Sequence, residues 1–313
     1  VSTLNNIIHV LLLSSWRSGS SFLGQVFSQH PSVFYLMEAL RMAVRDLLRS
    51  VFQCDFSVME SYLPEYPNVS SLFMWSHSRA LCSPPICSLT PRNQFKQACD
   101  SYSHVVYKDV RLFELESLYP LLQDSNLDLR IIHLVRDPRA VVRSREESAK
   151  EAEVQYQVMQ EICRSHVRIN ERAVLKPPPF LKGRYKLVRY EDMARNPLEE
   201  INAMYQFVGL EMTTELATWI YKVTHGKGKG SIKEAFKITS RSATNVSQAW
   251  RTMLPYNKVR RIQEVCKGAM SLLGYRTVNS EKEQKRLDID LLVPREPYQF
   301  SWLPDKTQHP NNN

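Results

Sequence analysis

Trp16-Arg17-Ser18-Gly19-Ser20-Ser21-Phe22 sets a guanidinium, serine hydroxyls and a glycine directly behind the apolar run 7–13. A Leu-rich, β-branched run that ends in a Ser/Gly turn predicts a buried parallel strand. The following Phe22-Leu23-Gly24-Gln25-Val26-Phe27 predicts a helix with Ser20 or Ser21 at its N-cap. Strand, tight loop and helix N-terminus together make an anion cradle. The first-turn N–H groups have no intrahelical partner, and the helix dipole places partial positive charge there. Arg17 adds a full charge and a forked donor, and Ser18, Ser20 and Ser21 add hydroxyl donors. The chemistry indicated is the binding of a phosphate-bearing ligand. Gly19 and Gly24 have the spacing of a nucleoside-triphosphate P-loop, but Gln25 stands where that motif needs Lys and no Ser or Thr follows to hold magnesium. The bland alternative is a plain strand–helix turn.

A second segment repeats the grammar. The run 129–135 is apolar, Asp137-Pro138 breaks it, and a helix follows with Pro at its first position. Arg136 stands at the strand's carboxyl end and Ser144 eight residues later, about two turns into the helix. In doubly wound sheets ligands bind outside the carboxyl ends of strands, so both clusters open on one edge. Among Arg136, Arg139, Arg143 and Arg145, Arg139 and at least one other are expected on a solvated helix face.

The elements that must position these residues are legible from periodicity. Strands are predicted over 7–13, 33–36, 104–107, 129–135 and 185–190. Helices are predicted over 21–28, 40–52, 113–122, 138–147, 151–175, 197–207, 212–222 and 256–272. Val154, Val158, Met159, Ile162, Cys163 and Val167 keep helical spacing, and Pro177-Pro178-Pro179 ends that helix. Segment 54–100 lacks clear periodicity and is expected to form a lid or acceptor-side excursion. Segment 225–250, rich in Gly, Lys and Ser, is expected to be a mobile flap, and the tail from Pro294 to fray. The fold class is α/β: a P-loop-like parallel sheet flanked by helices, in a single domain over 1–313.

Composition narrows the partners. A 43% hydrophobic content supports a sizeable core, and a net charge of +9 suits a polyanionic cosubstrate or an acidic glycan. Nucleic acid would suit the charge too, but no zinc-finger spacing, basic arm or RNA-binding signature accompanies it. Uninterrupted apolar runs fall far short of the roughly twenty residues of a membrane span. No signal peptide is visible at Val1, and the missing initiator Met suggests a trimmed chain. The six cysteines, at 54, 82, 87, 99, 163 and 266, show neither zinc-ligand nor CxxC redox spacing. Their even number suits disulfides, with staples most useful between 54 and 99; Cys163 and Cys266 are either core thiols or partners. Sequons at Asn68 and Asn245 add to a secretory-lumen reading.

Taken in order, these motifs resemble the Golgi carbohydrate sulfotransferases, and within them the N-acetylglucosamine 6-O-sulfotransferases of the keratan-type, corneal and intestinal branch. The resemblance also rests on Phe34-Tyr35-Leu36-Met37-Glu38, Ala80-Leu81-Cys82-Ser83-Pro84-Pro85, Ser101-Tyr102-Ser103-His104-Val105-Val106, Leu187-Val188-Arg189-Tyr190-Glu191-Asp192 and Asn245-Val246-Ser247-Gln248-Ala249-Trp250-Arg251, so it spans nearly the whole chain. It implies that loop 16–22 takes the 5′-phosphosulfate and Arg136 with Ser144 the 3′-phosphate of 3′-phosphoadenosine 5′-phosphosulfate (PAPS). It also implies that Trp250-Arg251 lies against the nucleotide, the alternative being a core Trp with a surface Arg. Glu38, at the end of the second strand, is the favoured base for the acceptor hydroxyl; its alternative role is to cap the next helix.

Cytosolic sulfotransferases resemble the chain at Lys108 but keep a His two positions on, where this chain has Val110. Lys108 is therefore expected to retain the cationic role while the base moves to Glu38, the alternative being a surface lysine. Arg111 is a further candidate for acceptor or sulfate contact. His104 and His133 are expected to pack inside strands, and Tyr190-Glu191-Asp192 to be structural. The implied reaction transfers a sulfuryl group to the 6-hydroxyl of N-acetylglucosamine, without a metal. Alternatives are a galactose 6-O-sulfotransferase, a non-catalytic glycan-binding protein of the same fold, and a P-loop kinase. Family members are anchored in the Golgi membrane by an N-terminal segment that this chain is expected to have lost. The chain departs from the family after Glu38, where a Pro and a Trp-His-Val-Trp run are missing, and it is shorter after Pro91 and Glu147.

Overall fold

The computed structural model describes residues 7–37, 44–57, 92–149, 156–228 and 240–294. Five parallel strands form the centre: β1 (Ile8–Leu13), β2 (Val33–Met37), β3 (His104–Asp109), β4 (Asp128–Val135) and β5 (Tyr185–Arg189), in the order β2-β3-β1-β4-β5. All five sequence-predicted strands are present, each within two residues of its expected ends. The chain runs from β1 to one side of the sheet, returns, and builds β4 and β5 on the other. That reversal opens a crevice at the carboxyl end of β1.

Helices are α1 (Ser20–Ser28), α2 (Val44–Phe52), α3 (Arg92–Asp100), α4 (Tyr119–Leu122), α5 (Pro138–Ala149), α6 (Tyr156–Asn170) and α7 (Tyr190–Arg195). Then come α8 (Pro197–Val208), α9 (Thr214–Thr224), α10 (Ala243–Gln248), α11 (Trp250–Met253), α12 (Tyr256–Val265), α13 (Lys267–Leu272) and α14 (Glu281–Lys285). Among the described residues none is long and apolar enough to cross a membrane.

Strand alternation divides the core. Leu11, Leu13, Phe34, Leu36, Val105 and Tyr107 pack with residues of α2, α3 and the 115–122 turns. Val10, Leu12, Tyr35, Val106 and Leu134 pack on the opposite face with residues of α1, α7, α8 and α9. A third cluster joins Val135 and α5 to α6 and α11–α13. Each fully buried Leu, Val or Phe contributes roughly 1.5–3 kcal/mol.

Several expectations are corrected. The 113–122 helix is a 3₁₀ turn (Leu115–Leu118) followed by α4, because Pro120 has no N–H to continue the ladder. The 256–272 helix breaks at Cys266, which bonds to Cys163 of α6. A second disulfide joins Cys54 to Cys99 and ties the end of α2 to α3, closing the base of the expected excursion. Residues 58–91, with Cys82, Cys87 and Asn68, lie outside the described residues. Of the segment expected to be a flap, residues 229–239 lie outside the described residues; its described ends form an antiparallel pair, β6 (His225–Lys227) with β7 (Arg241–Ser242), followed by α10.

His104 and His133 are packed, as expected, at 4% and 2% exposure. His104 Nε2 lies 2.9 Å from the Val208 carbonyl; His133 Nδ1 lies 2.7 Å from the Tyr185 hydroxyl, and its ring centroid is 5.2 Å from that of His166. Burial holds His133 well below the usual histidine range and His166 down to about 4, with nearby Arg145 adding to the latter. Burial lowers His9, His30 and His104 as well. Unfolding frees each histidine to bind a proton below its ordinary value of 6.5, so their contribution is lost as pH falls from there. Each titrating histidine steepens that loss by up to about 1.4 kcal/mol per pH unit. Glu191, which burial raises, has the opposite sign but is one group against five. Denaturant unfolding should therefore show lower stability near pH 5 than near pH 7, with a smaller difference in His166→Phe; equal pH dependence in both proteins would refute this.

Candidate functional site

The loop after β1 is tied down from below. Ser14 N–H donates to the Asp109 carbonyl of β3 at 3.0 Å, and Ser14 Oγ donates to the Leu134 carbonyl of β4 at 3.1 Å. Ser15 Oγ and Ser18 Oγ lie 2.6 Å apart, and Ser18 N–H donates to the Ser15 carbonyl at 3.1 Å. Ser18 and Ser20 are buried, and Trp16 is exposed. The N-cap of α1 is Gly19, one residue before the predicted serines, at φ 92°, and no side chain caps the helix. A Cβ at Gly19 would stand 2.4 Å from the Tyr190 ring, so glycine is required by conformation and by space. Gly24, the other half of the P-loop-like spacing, lies inside α1, where a Cβ would stand 2.0 Å from the Tyr35 hydroxyl. Its place is close helix–strand packing. Arg17, although not glycine, has φ 71°.

The two sequence-predicted clusters meet. Arg17 Nε donates to Ser144 Oγ at 3.0 Å, and Arg136 Nη1 donates to the Arg17 carbonyl at 3.0 Å. Arg136 Nη2 donates to the Val246 carbonyl of α10 at 3.2 Å, and the guanidinium lies 4.3 Å over the Tyr190 ring. Tyr190 is thus wedged between Gly19 and Arg136. Arg136 Nε is buried without a hydrogen-bond partner. Burial and mutual repulsion lower both Arg17 and Arg143: Arg136 and Arg241 act on each, and Glu147 is the opposing carboxylate. An orphaned buried donor, an uncapped nine-residue helix and converging cations all fit a bound polyanion. Arg241 was not singled out from the sequence: it lies on β7, inside the segment predicted to be a flap.

Lys108 lies in β3 at 1% exposure, with its Cα beside Leu12 of β1 and Met37 of β2. Alternation puts it on the face of Val106, which α1 covers. This replaces the surface-lysine alternative. Val110 is buried, and Arg111 is exposed immediately after the turn in which Asp109 Oδ1 accepts from the Arg111 and Leu112 amides at 2.6 and 3.0 Å. Glu38 follows β2 and lies outside the described residues. Phe22 is half-buried against the α1-side core, and Ser21 is half-buried in the first turn of α1. Asn245 is exposed on α10.

Two arginines, Arg139 and Arg251, are more buried than expected, and Arg145 is tied to the loop. Arg139 is fully buried rather than solvated: it pairs with Asp137 at 2.7 Å, donates to Gln263 Oε1 at 3.0 Å and to the Arg276 carbonyl at 2.9 Å, and lies 4.0 Å over Trp250. Arg145 donates to the Trp16 carbonyl at 3.0 Å and stacks over its ring at 5.4 Å; burial lowers it to about 10. Trp250 is core, and Arg251, at 3% exposure, donates to the carbonyls of Gln284, Ile289 and Arg286. Arg251 fastens the C-terminal segment and is not the surface residue of the alternative reading. Within the same motif, the Val246 carbonyl accepts from Arg136.

Among the described residues no group of His, Cys, Asp or Glu is arranged to hold a metal ion. Comparison with known proteins matches residues 8–274 to the sulfotransferase domain. The chain is 53% identical to human carbohydrate sulfotransferase 6, over 97% of this chain and 90% of that protein. It is 52% identical to mouse carbohydrate sulfotransferase 5, over 99% and 91%. In fold it is similar to the sulfotransferase domain from the curacin biosynthetic pathway, with a TM-score of 0.52 at 19% identity over 87% of this chain and 99% of that one.

Proposed function

The chain belongs to the carbohydrate sulfotransferases, enzymes that transfer a sulfuryl group to glycans, and from that premise we propose that its donor is PAPS and its acceptor the 6-hydroxyl of N-acetylglucosamine. The observation that carries the donor reading is the union of the two strand-end clusters: Arg17 on Ser144 and Arg136 on the Arg17 carbonyl. In this reading Arg17, Ser144, Arg136 and the amides of Gly19 to Ser21 hold the two phosphate ends of the donor. The acceptor oxygen bonds to sulfur as the bond from sulfur to the 5′-phosphate oxygen breaks. The acceptor proton passes to Glu38, and Lys108 faces the charge that develops on the leaving oxygen. Adenosine 3′,5′-bisphosphate is the leaving product.

Labelled PAPS and labelled ATP, each offered with glycans ending in N-acetylglucosamine or galactose, test the reading. Label from PAPS on N-acetylglucosamine-terminated glycans is expected. Transfer only to galactose would replace the acceptor, and transfer from ATP would replace the donor. Binding of glycan without transfer would make the chain a binding protein. We further propose that the protein works in the Golgi lumen, anchored through a segment outside this chain; the two disulfides and the two sequons support this. Enzyme made in a secretory host for the same assay should carry both disulfides and a glycan at Asn68 or Asn245. Free thiols and no glycan would place it in the cytosol.

A further inference from the structure

Glu191 is a buried carboxylate beside the donor site that the proposed chemistry does not use. It opens α7 directly behind β5, one strand over from Arg136. Its Oε1 accepts from the Asp137 backbone N–H at 3.1 Å, and its Oε2 from the Tyr275 hydroxyl at 2.8 Å. Glu191 therefore braces the turn that presents Arg136 against the C-terminal segment.

The charges around it are otherwise committed. Asp137, on the β4–α5 turn, is paired with Arg139 of α5 at 2.7 Å. Arg189 of β5 pairs with Asp192 at 2.7 Å, and Arg195 of α7 pairs with Asp290 at 2.6 Å. Arg251 of α11 is held by three carbonyls. Arg136 differs from these. Its two terminal nitrogens sit on carbonyls and its Nε has no partner, so among the described residues no carboxylate hydrogen-bonds to its charge directly.

We propose that Glu191 is a positioning residue that sets the charge available at Arg136, so that binding of the donor is coupled to uptake of a proton by Glu191. This rests on the reading that Arg136 holds a donor phosphate. Burial, with the Asp137 charge second, raises Glu191 to about 7, while Arg136 pulls the other way. With its proton, Glu191 leaves the Arg136 charge to the donor. Without it, the ionised Glu191 draws on the same guanidinium. A donor phosphate on Arg136 removes the charge that favours ionised Glu191, so the bound protein holds the proton more tightly than the free one. By linkage, affinity must then fall as pH rises through the value of the free protein.

Calorimetry with adenosine 3′,5′-bisphosphate between pH 6 and pH 8, in buffers of different ionisation enthalpy, tests this on the wild type, Glu191→Gln and Tyr275→Phe. The ligand's own phosphates titrate near pH 6, so the informative quantity is the difference between proteins. The ratio of wild-type to Glu191→Gln Kd is expected to rise about 3- to 10-fold across that range, with less proton uptake by the variant. Tyr275→Phe removes a donor to the carboxylate and should move the fall in affinity to higher pH. A uniform loss of affinity in Glu191→Gln, with the wild-type pH profile and proton uptake, would reduce Glu191 to a structural brace and overturn the proposal. If Glu191→Gln does not fold, an unmoved profile in Tyr275→Phe overturns it alone. Wild-type protein that binds no ligand at any pH would overturn the donor reading, and this inference with it.

Discussion

Glu38→Gln should slow single-turnover transfer from saturating PAPS by about 10²–10⁴-fold, the usual cost of losing a general base. The substitution keeps shape and hydrogen bonding but removes basicity. Its geometric basis is the strand that precedes it. Met37 closes β2 at the carboxyl edge of the sheet, with its Cα beside Lys108 of β3, and Lys108 in turn lies beside Leu12 of β1, just before the loop 14–19. Lys108 thus sits on the strand beside the one that Glu38 follows in sequence. Donor affinity should barely change, because Glu38 is not asked to touch the phosphates. Lys108→Ala should also slow turnover, through lost stabilisation of the leaving oxygen, and should weaken donor binding as well. Near-normal turnover in Glu38→Gln would eliminate it as the base. Loss of donor binding in the same variant would make it a structural residue near the loop.

Arg136→Ala and Arg17→Ala should each weaken binding of PAPS and adenosine 3′,5′-bisphosphate by about 1.5–3 kcal/mol, roughly 10- to 150-fold in Kd. Arg136→Ala should have the larger effect. It removes the donor to two carbonyls, Arg17 and Val246, as well as the cation over Tyr190, so loop, α10 and α7 lose a common fastener. Arg17→Ala removes the link to Ser144 but leaves its own carbonyl in place for Arg136. Thermal unfolding of each variant separates a lost contact from a lost fold. Calorimetry showing unchanged affinity in both single variants would remove the donor assignment.

These residues are of two kinds. The loop 16–22, Arg136 and Ser144 were legible because strand, break and helix start are local signals, written in an apolar run, a glycine or proline, and the residues beside them. The same locality placed all five strands and most helices, and it failed where a single residue interrupted the ladder, as at Pro120 and Cys266. Local pattern also marked Lys108 as following a hydrophobic strand, but left open whether it was buried.

What only the tertiary structure decided depends on partners distant in sequence. The strand order sets β1 between β3 and β4, and this brings Arg17 to Ser144 across 127 positions. Arg139 looks like a solvated helix residue until Asp137, Gln263, the Arg276 carbonyl and the Trp250 ring surround it. Arg251 is buried by the C-terminal segment, and Arg241, on the strand β7 that pairs with β6, acts electrostatically on Arg17 and Arg143. The physical reason is the same in each case. Periodicity and turn chemistry are set by neighbours along the chain, whereas a buried charge is tolerable only when its compensating groups arrive from elsewhere in the fold. The sequence by itself therefore determined the strands, the strand–loop–helix unit around 16–22 and the family, and the packed structure decided which arginines converge on that loop and which hold the molecule together.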